Sequence, residues 1–208
     1  MSTVLVVTSS ALAEHSVSSE LVRDVVDGLR RRDPSTRLVV RDLGANPIPH
    51  LTTDAATAIR GEPSNEAQAR VRALSDELIG EVQAADILVM GVPMYNFGIP
   101  STLKAWFDHV LRSGATFRYT ESGPEGLVKG KRAILVLAKG GYYSDGPMQI
   151  MDSQEPHVRS MLNFIGVTDI HYIRAEKLAL GPQEREKSII AAKAAIGELV
   201  VDDSLMPA

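Results

Sequence analysis

The chain contains no cysteine. That excludes disulfides, thiolate metal sites and a thiol nucleophile together, and it fits a reducing compartment. An excess of positive charge is also missing: 22 Lys and Arg against 26 Asp and Glu leave a net charge of -4. The one basic run, Arg30-Arg31-Arg32, is followed at once by Asp33. It reads as the solvated end of a helix, with cations beside the negative dipole. A nucleic-acid partner, which needs a basic stripe, is not expected. Long apolar runs are absent as well. Met1-Ser2-Thr3-Val4-Leu5-Val6-Val7 has no cationic lead-in and is too short for a signal peptide's apolar core or a membrane span. It is read as a strand, and a cytoplasmic protein with no membrane partner is expected.

Several motifs are missing too. Neither G-x-G-x-x-G nor G-x-x-x-x-G-K-[ST] follows the first apolar run, so dinucleotide and P-loop signatures are lacking. His15, His50, His109, His157 and His171 are scattered without metal-ligand spacing, and no metal is expected. No G-x-S-x-G elbow occurs. Asp86 stands at the amino end of its strand, the wrong end for a phosphoacceptor. No acid-base pair stands out, so no catalytic side chain is assigned. Chemistry that needs neither protein acid nor nucleophile is the chemistry a redox cofactor carries.

What is present is a globular composition, with 44% hydrophobic and 23% charged residues in 208, enough for one domain over 1–208. Five strands are read at 4–7, 37–40, 86–92, 133–137 and 169–173, the first a continuous apolar run as a fully buried parallel strand would show. Helical spacing of apolar residues marks helices between them: 21–29 with Ser18 or Ser19 as N-cap, 66–84, 100–112, 152–165 and 183–201. Residues 50–66 read as an excursion with a short helical turn. Residues 114–130, rich in Gly and Pro, read as a surface loop with a short extended piece. The β-α alternation implies a doubly wound parallel sheet with helices on both faces, in the flavodoxin-like order 2-1-3-4-5.

In such a sheet, ligands sit at the carboxyl ends of the strands, and three loops there have unusual composition. Thr8, Ser9, Ser10, Ser16 and Ser18 crowd the turn into the first helix, where free N–H groups favour a phosphate; N-capping by one serine is the plainer alternative. Met94-Tyr95-Asn96-Phe97 follows the third strand and offers flat and amide groups to a planar ring. Core packing beside a turn is its alternative. Ala138-Lys139-Gly140-Gly141 follows the fourth strand and lets backbone approach a ligand edge, or else simply turns.

Met94-Tyr95-Asn96-Phe97, Thr116-Phe117-Arg118-Tyr119-Thr120-Glu121 and Gly123-Pro124-Glu125-Gly126-Leu127 together resemble the FMN-dependent NADH:azoreductases, also called FMN-dependent NADH:quinone oxidoreductases. Arg41-Asp42-Leu43, Asn46-Pro47-Ile48-Pro49, Leu74-Ser75-Asp76-Glu77-Leu78-Ile79 and Phe164-Ile165-Gly166 extend the likeness over nearly the whole chain. The resemblance implies a homodimer with one FMN per subunit and the active site at the interface. By motif position, Ser10, Ser16, Val17 and Ser18 would hold the phosphate, and Met94, Tyr95, Asn96 and Phe97 would line the isoalloxazine. Ala138, Lys139, Gly140 and Gly141 would meet its pyrimidine side. Tyr119 and, from the partner subunit, Phe164 would wall the substrate pocket. The implied reaction carries a hydride from NADH or NADPH through FMN to a quinone or aromatic azo compound, in ping-pong order. A flavodoxin-type electron carrier serving protein partners is the alternative.

One loop departs from the family pattern. Ser-Arg-Gly-Gly is typical where this chain has Ala138-Lys139-Gly140-Gly141, so a hydroxyl is lost and a planar fork becomes a point charge. Gly98 stands where relatives often carry a larger polar residue. Backbone contacts to FMN are expected to survive both changes; substrate range and nicotinamide preference are where they should act.

Overall fold

The computed structural model describes residues 2–201; Met1 and residues 202–208, part of the expected 1–208 domain, lie outside the described residues. Its centre is a five-stranded parallel sheet of β1 (Thr3–Thr8), β2 (Arg37–Asp42), β3 (Ile87–Pro93), β6 (Arg132–Ala138) and β7 (Asp169–Ala175). A separate antiparallel hairpin, β4 (Phe117–Thr120) with β5 (Gly123–Gly126), interrupts the count, so the sheet order is β2-β1-β3-β6-β7. The central strand β3 is buried at every residue, which is why it reads as a continuous apolar run and not an alternating one.

Successive side chains of a strand point to opposite faces, and two core clusters follow from that. Leu5, Val7, Leu88, Met90, Leu135 and Leu137 pack with residues of α3 (Glu66–Ala84), α4 (Ser101–Val110) and α5 (Glu155–Ile165). Val4, Val6, Ile87, Val89, Ile134 and Val136 pack with α1 (Val17–Arg32) and α6 (Pro182–Val201).

Three local details differ from the sequence reading. The first helix begins at Val17, and Ser16 is its N-cap, accepting from the N–H of Ser19. A buried first turn, Val17 and Ser18 included, hid that start from a periodicity that becomes regular only at Leu21. The excursion after β2 holds a full helix, α2 (Thr53–Arg60), capped by Thr52. Residues 114–130 contain the β4–β5 hairpin, Phe117 to Gly126. Gly123 at φ 114° supplies a conformation that L-residues avoid, and Gly126 lies so close to Ile165 and Gly166 that a Cβ would fall within 2.3 Å of their backbone. Gly126 marks a tight docking, and Gly123 a turn.

Candidate functional site

The loops leaving β1, β3 and β6 converge on one cavity of about 200 Å³, lined by Ser10, Ser16, Val17, Ser18, Met94, Tyr95, Ala138, Lys139 and Gly140. Nine of the residues singled out by composition or resemblance therefore share one wall. Leu12, His15, Pro93, Leu178, Ala179 and Arg185 complete it. Sequence reasoning missed Leu178, Ala179 and Arg185, although the rule that ligands gather at strand carboxyl ends also covers the segment after β7. A larger groove of about 450 Å³ runs between α1 and β2. It shares only Ser10 with this cavity, and Glu14, Asp27 and Asp42 line it, so a phosphate would meet carboxylates there.

At one end the cavity meets the start of α1. Ser10, Ser16 and Ser18 are all nearly buried, and the hydroxyls of Ser16 and Ser18 lie 3.1 Å apart. Ser16 caps Ser19, while the N–H groups of Val17 and Ser18 have no acceptor among the described residues. Free N–H groups at a helix N-terminus, beside three hydroxyls and no lining carboxylate, fit a phosphate.

In the middle, Tyr95 and Gly98 exchange two backbone hydrogen bonds, Tyr95 N–H to Gly98 at 3.0 Å and Gly98 N–H to Tyr95 at 3.1 Å. Asn96 and Phe97 between them have φ of 48° and 71°, which makes a two-residue type I′ turn. Asparagine tolerates that region; a phenylalanine there is strained. The strain holds Phe97 exposed at the turn tip, its ring 6.2 Å from Tyr143 in an edge-on arrangement. Asn96 and Phe97 thus stand at the rim and not in the wall. The Tyr95 hydroxyl accepts the Ala11 N–H and lies 3.2 Å from Ser10 Oγ, joining the ring-side loop to the serine loop.

At the far end is the Lys139-Gly140-Gly141 loop. Its carbonyls accept from the segment after β7: Leu178 N–H at 3.2 Å, Ala179 N–H at 2.9 Å and Lys177 N–H at 2.7 Å. The N–H groups of Gly140 and Gly141 have no acceptor among the described residues, so the loop keeps donors for a ligand edge. The Lys139 side chain is fully buried. Its Nζ lies 2.7 Å from Asp152, 3.5 Å from Glu176 and 3.9 Å from Glu155. Arg174 grips Glu155 through two bonds of 2.9 and 2.7 Å, and the carboxylate holds the guanidinium pKa above its usual value. Breaking a buried pair such as Lys139–Asp152 costs about 3–5 kcal/mol. The lysine contributes to the cavity through its backbone, which composition alone could not reveal.

Tyr119 and Phe164 are not in this cavity. Tyr119 projects from β4, 72% exposed. Its ring is edge-on to Phe117 at 5.6 Å, and Phe117 in turn packs against Phe164 of α5 at 4.6 Å. The two residues expected to wall a substrate pocket belong to one aromatic ladder on the hairpin side. Elsewhere, on the short helical turn before α5, Met148, Ile150 and Met151 are also exposed, Ile150 by 90%.

The family model described as "Flavodoxin-like fold" matches residues 2–200. An FMN-dependent NADH:quinone oxidoreductase of Hyphomonas neptunium is 48% identical over 199 residues, 96% of each chain. One from Azotobacter vinelandii is 45% identical, over 96% of this chain and 100% of its own. The crystal structure of an azoreductase from Bacillus anthracis str. Sterne superposes with a TM-score of 0.88 at 28% identity, covering 96% of this chain and 99% of that one. With three strand-end loops around one anion-receptive cavity, and likeness of this extent, the chain belongs to the flavodoxin-like family and within it to the FMN-dependent NADH:quinone oxidoreductases.

Proposed function

We propose that the cavity between the three loops binds FMN and that the chain is an FMN-dependent NAD(P)H:quinone oxidoreductase that also reduces aromatic azo compounds. The observation that carries this is one cavity with a serine-lined helix N-terminus at one end and the Lys139-Gly140 backbone at the other. Bound there, FMN would supply two-electron hydride chemistry between a nicotinamide and a quinone or azo acceptor.

The chain's own part is binding, orientation and electrostatics. Ser10, Ser16 and Ser18, with the N–H groups of Val17 and Ser18, hold the phosphate. Met94 and Tyr95 line the isoalloxazine, with Asn96 and Phe97 at its rim. Ala138 and the backbone of Lys139, Gly140 and Gly141 meet the pyrimidine side, donating N–H groups toward its polar atoms. No side chain serves as acid or nucleophile.

The reading takes the chain as one doubly wound FMN domain over 1–208, with the β4–β5 hairpin inserted between the third and fourth strands of the expected 2-1-3-4-5 order. It also takes the protein as a cytoplasmic homodimer whose active site lies at the interface. The exposed apolar side chains of Met148, Ile150 and Met151 on one short helical turn favour a second copy, since a patch of that kind marks an interaction surface. Tyr119 and, from the partner subunit, Phe164 would then wall the pocket for planar acceptors.

A steady-state panel tests the function: NADH against NADPH, with several quinones and one azo dye. Parallel initial-rate lines are expected for donor and acceptor sharing one site. Intersecting lines would exclude the shared site. Turnover with neither nicotinamide would exclude the enzyme.

A further inference from the structure

We infer that Lys139 is a positioning residue for the polar edge of the flavin, acting through its buried ammonium on the Gly140–Gly141 backbone and not by contact with the ring; this rests on the FMN reading above. The side chain and the backbone of this residue serve opposite sides of the loop. Leu178, Ala179 and Lys177 take the three loop carbonyls, leaving two successive N–H groups as a nest for partial negative charge. The ammonium is drawn away from them, into Asp152, Glu155 and Glu176. Asp152 and Glu155 stand at the entry to α5, and Glu176 follows β7. One buried cation therefore fixes the loop against two other elements.

A direct electrostatic role fits the surroundings less well. With Arg174 included, two cations face three carboxylates, and Arg159 lines the same pocket as Asp152 and Glu155. Three cations and three carboxylates leave little net charge to act through space on a flavin that gains electrons. What the cluster can supply is rigidity. Asp152 adds to it from its other oxygen, which accepts the N–H groups of Gln154 and Glu155 and so caps α5.

The test is the two-electron midpoint potential of FMN bound to the full-length protein, measured for wild type, Lys139→Met, Lys139→Arg and Asp152→Asn. Asparagine can keep the capping oxygen while losing the carboxylate that faces the ammonium. Lys139→Met should weaken binding of the reduced over the oxidised flavin about tenfold, a drop of about 30 mV, and Lys139→Arg should recover most of it. Asp152→Asn should also lower the potential, by about threefold or about 15 mV. A rise in Asp152→Asn would instead reveal a through-space charge effect and overturn the inference. So would unchanged potentials alongside lowered melting temperatures, the signature of a purely structural pair. If Lys139→Met does not fold, the sign for Asp152→Asn decides alone. A wild type that takes up no FMN would defeat the functional reading and the inference with it; FMN uptake with unmoved potentials would defeat the inference only.

Discussion

The hydroxyl of Tyr95 accepts the backbone N–H of Ala11 at 3.0 Å. Residues from the ends of β1 and β3 are thereby tied by one side chain, with Ser10 Oγ a further 3.2 Å contact. The proposed phosphate end and the proposed ring end of the cavity are coupled through this phenol. Tyr95→Phe removes the acceptor and leaves the Ala11 N–H to water, at a cost below about 1 kcal/mol because the site is partly exposed. Folding should change little, while FMN affinity should fall several-fold. Titration of apo-protein with FMN, beside a melting curve, separates the two.

Phe97 holds a φ of 71° at the second central position of its turn. Phe97→Asn should relieve strain of about 1 kcal/mol and raise the melting temperature. The same change removes the exposed ring at the cavity rim. Stability and kcat/KM for planar acceptors should therefore move in opposite directions, which thermal melts and steady-state rates would read.

Gly126 leaves no room for a Cβ, which would meet Gly166 N at 2.2 Å and Ile165 C at 2.3 Å. Both are backbone atoms and cannot swing aside. Gly126→Ala should lift the hairpin from the end of α5, disturb the Phe117–Phe164 contact and cost about 1–3 kcal/mol. The FMN cavity lies on other loops, so FMN affinity should hold while KM for the acceptor rises.

His157 has a folded pKa below its ordinary 6.5, chiefly from burial and then from Lys104, with Asp108 opposing. Below pH 6.5 the unfolded chain therefore takes up protons more readily than the folded one. Stability is intact above that pH and is lost as pH falls through 6.5 toward the depressed folded value. His157→Gln should flatten this part of the profile, as denaturant melts between pH 5 and 8 would register.

Much of the framework was legible because buried parallel strands are apolar at every position, as in Ile87–Pro93. The three cavity loops stood out because hydroxyl, amide and glycine residues crowd the strand ends. Directions of side chains were not legible. Lys139 reads as a charge beside a ligand, yet carboxylates from residues 13 to 37 positions away draw it inward. The hairpin was obscured because its glycines serve docking and turn geometry, which resemble loop composition until Gly126 is seen against Gly166. Tyr119 and Phe164 gave no sign of meeting through Phe117, since contact across an element is not periodic in the chain.

The proposed cavity flavin should be reduced by a nicotinamide and reoxidised by a quinone. The most direct measurement adds NADH, then a quinone, to FMN-loaded protein without oxygen, following the visible flavin absorbance. Bleaching by NADH or NADPH and full recovery on adding the quinone are expected. Bleaching by dithionite but by neither nicotinamide would contradict the proposal and make the protein an electron carrier.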